Sequence, residues 1–229
     1  MAKGSIPVYD ISTIDQQAHR SLLVQRLEPY LQKHYASLHR PHRHSFFHFV
    51  MFTKGTGTHT IDFEKFVVQP YQMYFMRPGQ VHSWHFEGAV DGYIVHFYEE
   101  LLSAFLYNSH YLERLHFTSG NTSEGICQLP LPLQSRVTQI FEDLLQEAAE
   151  QKEQHIDMIR LKLLELFILV ERNCFSNNNT NVPQQKLTVL RSFQQLIDKH
   201  YKELKLPKDY AELLYITPNH LNALCQDLV

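Results

Sequence analysis

Two hydrophobic periods divide this chain. Between about Leu38 and Tyr98, aromatic and β-branched residues alternate with polar ones, the period-2 signature of half-buried strands. Turn-forming groups punctuate that stretch at Lys54-Gly55-Thr56-Gly57, Gln69-Pro70, Arg77-Pro78-Gly79 and Glu87-Gly88. Short strands at roughly ten-residue spacing predict a β-sandwich or a small barrel. After Pro130 the period lengthens. Val137, Ile140, Phe141, Leu144, Leu145 and Ala148 form one stripe at helical spacing, and Ile156, Ile159, Leu163, Leu166, Phe167 and Val170 form a second. The second helix is also apolar at Leu164, Ile168 and Leu169, which fits either burial against the β region or a dimer interface.

The polar run Ser176–Pro183 reads as an interdomain linker. Beyond it Leu190, Phe193, Ile197, Tyr201 and Leu204 stripe a third helix. The predicted class is therefore mixed α and β. A first domain spans 1–173, with its β part at about 1–125 and its helices at about 133–173. A linker occupies 174–186, and a helical segment fills 187–229.

That last segment has the marks of a helix-turn-helix. Thr217 is a good N-cap, and Pro218 suits the first helical position, where a missing N–H costs nothing. Ala211 and Leu214 on the first helix can meet Leu221 and Leu224 on the second, with Leu213 and Leu228 also assigned to the core. Charge gives this reading little help. The chain carries a net −3, and Lys186–Val229 has six Lys or Arg against five Asp or Glu, a balance of +1. DNA binding must then rest on placement rather than on bulk charge.

Cys127, Cys174 and Cys225 lie in no paired pattern, which predicts reduced thiols. The N-terminus lacks an apolar core of the secretory type, and the most apolar stretch, Leu161–Val170, is too short to span a bilayer. A cytoplasmic location without membrane contact is expected.

The chemistry sits in histidines. On a strand, positions 42, 44, 46, 48, 50 and 52 share one face, so His42, His44 and His48 line up with Phe46, Val50 and Phe52. His82 can join them from a neighbouring strand, with Trp84 on its face. Imidazoles arranged this way either line a pocket for an organic ligand or converge on a metal. The spacing resembles the first cupin motif, with His48 standing where a metal-binding cupin has glutamate. Asp62 and Glu64 are the nearby carboxylates, on a different strand and with no fixed facing.

Taken in order, Pro41–His44, Phe52–Gly57, Phe75–Trp84 and Tyr210–Cys225 resemble the AraC/XylS family of bacterial transcriptional regulators. The resemblance covers most of the chain. It implies a cupin-like jelly-roll sensor that takes a small-molecule effector, a C-terminal DNA reader, and a pocket without catalytic metal. Effector contacts are then expected from His42, His44, Phe46, His48, His82 and Trp84. Promoter contacts are expected from Thr217, Asn219, His220, Asn222, Ala223 and Gln226, where asparagine can read adenine. The family's reader domain continues into a connecting helix and a second helix-turn-helix. The chain stops at Val229, near where that connecting helix would begin, as a fragment or a truncated product would.

The expected protein is thus an effector-controlled, homodimeric transcriptional regulator, neither an enzyme nor dependent on a cofactor. The alternative is a metal-dependent cupin enzyme, an isomerase or oxygenase, using His42, His44, His48 and His82 as ligands.

Overall fold

The computed structural model describes residues 6–15, 21–107, 111–119, 122–175 and 184–228. They fall into two compact units, Met1–Asn177 and Asn178–Val229. The expected linker Ser176–Pro183 lies outside the described residues.

In the first unit, β1 (Val8–Tyr9) and β3 (Arg43–His44) form a short parallel pair. The main sheet contains β2 (Leu22–Arg26), β4 (Phe47–Ile61), β6 (Gln72–Met76), β7 (His82–Phe97) and β8 (Ile126–Gln128). These strands run antiparallel in the order β2-β7-β4-β6-β8, and β5 (Glu64–Val67) folds back on the far end of β4.

Alternation along the strands separates two apolar cores. Phe47, Phe49 and Met51 of β4 face one side with Tyr93, Val95 and Phe97 of β7. That side is covered by α4 (Leu131–Glu150) and α5 (His155–Val170), through Val137, Ile140, Phe141 and Leu144 and through Ile159, Leu163, Leu166, Phe167 and Val170. The two predicted helical stripes are therefore buried against the sheet, although Met158, Leu161 and Ile168 on α5 stay exposed. Phe46, Val50 and Phe52 face the opposite side with Trp84 and Ile94. There α1 (Ile11–Ile14) and α2 (Leu27–Leu38) supply Ile11, Leu27, Tyr30 and Leu38. The sequence pattern gave no sign of α2, a helix inside the region expected to be β.

Two expected turns are not turns. Lys54–Gly57 and Glu87-Gly88 lie inside the long strands β4 and β7, whose pairing continues through a bulge between Phe52 and Thr56. Glycine serves both a turn and a bulge, because both need conformations that side chains resist. Gly92 shows the demand plainly, since a Cβ there would lie 1.9 Å from the Met51 carbonyl oxygen.

The expectation of reduced thiols is also corrected. Cys127 on β8 is disulfide-bonded to Cys174, with a Cα–Cα separation of 6.0 Å. Cys174 sits in the π-helical turn Glu171–Phe175, and Phe175 is buried in the same core as α5. Residues 174–175 therefore belong to the first unit's packing rather than to a linker. A pairing across 47 residues leaves no local spacing signal.

The second unit consists of α6 (Gln184–His200), α7 (Pro207–Leu213) and α8 (Pro218–Leu228), so 184–186 are helical as well. Tyr210, Ala211 and Leu221 form its centre, with Phe193, Ile197, Leu204 and Leu214 packed around them. Thr217 accepts a hydrogen bond from the His220 backbone N–H at 3.2 Å, as its N-cap role requires. Leu213, assigned to the core from sequence, is 44% exposed. It lies two positions beyond Ala211, about 200° around the helix, and so faces away from α8. Tyr201 is exposed just past the end of α6.

Candidate functional site

The core between the sheet and α2 is not uniformly apolar. Six histidines enter it: His42 before β3, His44 at the end of β3, His48 and His59 on β4, and His82 and His96 on β7. None is more than 2% exposed. Backbone pairing fixes their places. His42 and His82 exchange N–H···O bonds of 3.0 and 2.9 Å, His48 stands opposite His96, and His59 stands opposite Trp84. Ring centroids follow that register, at 4.1 Å for His42–His82 and 4.8 Å for His48–His96.

Hydrogen bonds then set the tautomers. His42 Nδ1 is 2.7 Å from the Arg40 carbonyl oxygen, which can only accept, so Nδ1 carries the proton and Nε2 a lone pair. His82 links two neighbours, through Nδ1 to His59 Nε2 at 3.0 Å and through Nε2 to His44 Nε2 at 2.8 Å. The remaining polar atoms have no protein partner among the described residues. They are His42 Nε2, His44 Nδ1, both ring nitrogens of His48 and of His96, His59 Nδ1, Trp84 Nε1, the Tyr30 hydroxyl and Nε2 of its neighbour His34. Each such buried group costs roughly 1–3 kcal/mol when left unpaired.

Burial keeps these rings neutral. It pushes His48 down to about 3, and it holds His44, His59, His82 and His96 well below the ordinary imidazole range, with the charges of neighbouring histidines acting in the same direction. His42 is lowered too, against the pull of its bond to Arg40. Neutral imidazoles with free lone pairs are what a cation or a hydrogen-bond-donating ligand requires.

His42, His44 and His82 each bring a ring nitrogen within 4.8 Å of the other two, a group able to hold a metal ion. His48, counted with them from sequence, lies beside the group, its ring 5.1 Å from those of His44 and His82. Phe46 stacks on His44 and His96 at 4.5 Å each, and Trp84 borders His48, His59 and His82. The expected effector-contact residues thus come together, but they fill the interior instead of lining an open pocket. An open cavity of about 520 Å³ lies between α2 and β7, edged by Leu31, Tyr35, Phe86 and Val90 and by none of the six histidines.

Sequence reasoning missed His59, His96 and Tyr30. His96 shares even-numbered parity with His82 along β7, a signal open to anyone counting through. His59 does not share the parity of His48, because the bulge intervenes. The two carboxylates serve elsewhere. Asp62 accepts from the Val81 N–H and from Gln80, both at 2.9 Å, and Glu64 is exposed on β5.

The profile described as AraC-like ligand binding domain matches residues 26–167, well over half of the 229. The chain belongs to that family. The AraC-like domain begins at the end of β2, takes in all six histidines, and ends within α5. No curated protein sequence matches the chain. Among solved structures, the AraC-like transcriptional activator CuxR is similar at 13% identity and a TM-score of 0.39, over 90% of this chain and 70% of that one. ToxT from Vibrio cholerae O395 is similar at 7% identity and 0.43, over 91% and 75%. Oxalate decarboxylase from Bacillus subtilis is similar at 14% identity and 0.24, over 51% and 41%. Scores of this size give no residue a role.

In the second unit, Thr217, Asn219, His220, Asn222, Ala223 and Gln226 are all exposed, while Leu221 and Leu224 of the same helix are buried. No helix among the described residues is long and apolar enough to cross a membrane.

Proposed function

We propose that this chain is an effector-controlled transcriptional regulator of the AraC/XylS type, not an enzyme. On this reading the antiparallel sheet belongs to a cupin-like sensor, and α7 and α8 form a helix-turn-helix. The observation that carries the proposal is the AraC-like ligand-binding domain built around a buried polar interior, in which ring nitrogens of His42, His44, His48, His59 and His96 have no protein partner among the described residues. Buried polar groups in folded proteins are nearly always paired, and a bound ligand supplies the partners that these imidazoles lack within the protein.

The DNA side rests on α8. Its inner residues pack on α7, and its outer face offers Asn219 and Asn222 for base edges, with His220, Gln226 and the Thr217 cap beside them. No Lys or Arg follows Thr217, so Lys205 and Lys208, both exposed, supply the nearest cationic phosphate contacts. The chain acts as a homodimer, for which Met158, Leu161 and Ile168 on α5 are apolar groups a contact would cover.

Control requires that the effector bind one arrangement of the two units more tightly than another. The test is fluorescence anisotropy of the full chain on labelled DNA from upstream of its own gene, at fixed salt, with a scrambled duplex as competitor. Binding that outcompetes the scrambled duplex, and that Asn219→Ala or Asn222→Ala weakens, is the expected result. Equal affinity for both duplexes overturns the reading.

A further inference from the structure

We infer that His42, His44 and His82 form a binding site for a divalent transition-metal ion of the Zn²⁺ class, and that this ion is the effector. The second half rests on the regulator reading above; the first half does not.

Geometry comes first. The three rings present nitrogens within 4.8 Å of one another, and His44 Nε2 and His82 Nε2 are 2.8 Å apart. Zinc–imidazole bonds of about 2.0–2.1 Å in a tetrahedral arrangement need ligand nitrogens about 3.3 Å apart, which lies inside that span. Small ring rotations suffice.

The outer contacts are those of a ligand set. A metal-binding histidine usually gives its other ring N–H to a carbonyl or a neighbouring side chain, which fixes the tautomer and aims the free lone pair. His42 does so through Arg40, leaving Nε2 buried and unpartnered. His82 can do so through His59, which leaves Nε2, 2.8 Å from His44 Nε2, to turn its lone pair to the ion.

Proton counting points in the same direction. A neutral imidazole has one donor and one acceptor. The row His59–His82–His44 therefore leaves both terminal Nδ1 atoms unpaired, an N–H at one end and a lone pair at the other, and His42 Nε2 remains unpaired throughout. A cation accepts the lone pairs of His42, His44 and His82 together, which no assignment of protons achieves.

The donor set selects the ion. All three ligands are imidazoles, so the site favours Zn²⁺, Cu²⁺ or Ni²⁺ over Mg²⁺ or Ca²⁺, which need oxygen ligands. Three protein ligands leave one coordination position open. His48, with both ring nitrogens unpartnered, is the adjacent group able to complete it.

The test uses the untagged full chain, never exposed to a nickel column, stripped with chelator and dialysed. Zn²⁺ is titrated against a chromophoric competitor, and Co²⁺ is added as a visible-absorption probe. One equivalent of Zn²⁺ is expected, with Co²⁺ giving the d–d absorption of a low-coordinate nitrogen site. His42→Gln and His82→Gln, checked as folded by circular dichroism, should each weaken Zn²⁺ roughly 100-fold or more. His85→Ala, an exposed position on β7, should bind as the parent does. A folded parent that neither retains Zn²⁺ nor colours with Co²⁺ overturns the site, as does equal affinity in the Gln variants. The DNA assay then separates the two halves. If Zn²⁺ binds but DNA occupancy is unchanged, the ion is not the effector. If an organic compound shifts occupancy of a metal-free chain, the ion is not the effector and the regulator reading stands, while the metal site is decided by the titration alone.

Discussion

Mild acid should unfold the first unit well before it disturbs ordinary carboxylate pairs. In the unfolded chain each histidine titrates near 6.5. In the folded unit burial pushes His48 down to about 3, and His44, His59, His82 and His96 are lowered by the same cause. The sign follows directly. Above pH 6.5 both states are neutral and stability is full; as pH falls from 6.5 toward 3, only the unfolded chain takes up protons, and stability is lost. For His48 alone the loss between pH 7 and pH 5 is about 2 kcal/mol. The other four add to it, against a total that for most domains is only about 5–15 kcal/mol. At pH 5 most carboxylates remain ionised, so the window belongs to the histidines. The assay is urea unfolding followed by Trp84, the sole tryptophan, whose ring lies within this interior. Chelator is present throughout, so that metal occupancy does not compete with protons. The midpoint should fall steeply from pH 7 to pH 5. In His48→Leu the loss between those two pH values should be smaller by about 2 kcal/mol. An unchanged midpoint at pH 5, or a His48→Leu protein losing as much as its parent, would refute the reasoning.

Three further outcomes are expected. Reducing the Cys127–Cys174 bond, or replacing both residues by serine, should destabilise the first unit by about 4 kcal/mol on the chain-entropy estimate for a 47-residue separation, read as a lower guanidinium midpoint. Gly92→Ala should cost about 2–3 kcal/mol, because its methyl would collide with the Met51 carbonyl across β4 and β7; thermal melts of the two proteins decide it. Asn219→Ala and Asn222→Ala should each cost about 1–3 kcal/mol of specific DNA affinity while leaving the melting temperature unchanged, since both side chains are exposed.

Much of this arrangement was legible in the residues. Alternation from His42 to Phe52 put the right side chains on one face, and the helical stripes of α4 and α5 named the residues that cover the other. The C-terminal helices followed from a cap, a proline and four apolar positions. What escaped were features with no local period. Helix α2 buries Leu27, Tyr30, Leu31 and Leu38, a sparse stripe interrupted by polar residues. Its packing against the sheet, rather than its own sequence, makes it stable. The disulfide joins residues that only the completed fold brings within reach.

The histidine interior was half legible for a reason that lies in β4 itself. Before the bulge its inward residues are even-numbered: His48, Val50 and Phe52. After it they are odd: Gly57, His59 and Ile61. Along β7 the inward residues stay even throughout, from His82 and Trp84 to Ile94 and His96. The two register shifts between Phe52 and Thr56 leave a net slip of one residue, which reverses the β4 side chains that reach the core, as it must on a period of two. Pattern reading that treats Lys54–Gly57 as a turn starts a new strand there and loses the phase. Counted continuously with the reversal included, the two long strands deliver four histidines to one interior. His42 and His44 close it through the bridge to His82. The glycines that looked like the end of a strand are what allow β4 to contribute both His48 and His59.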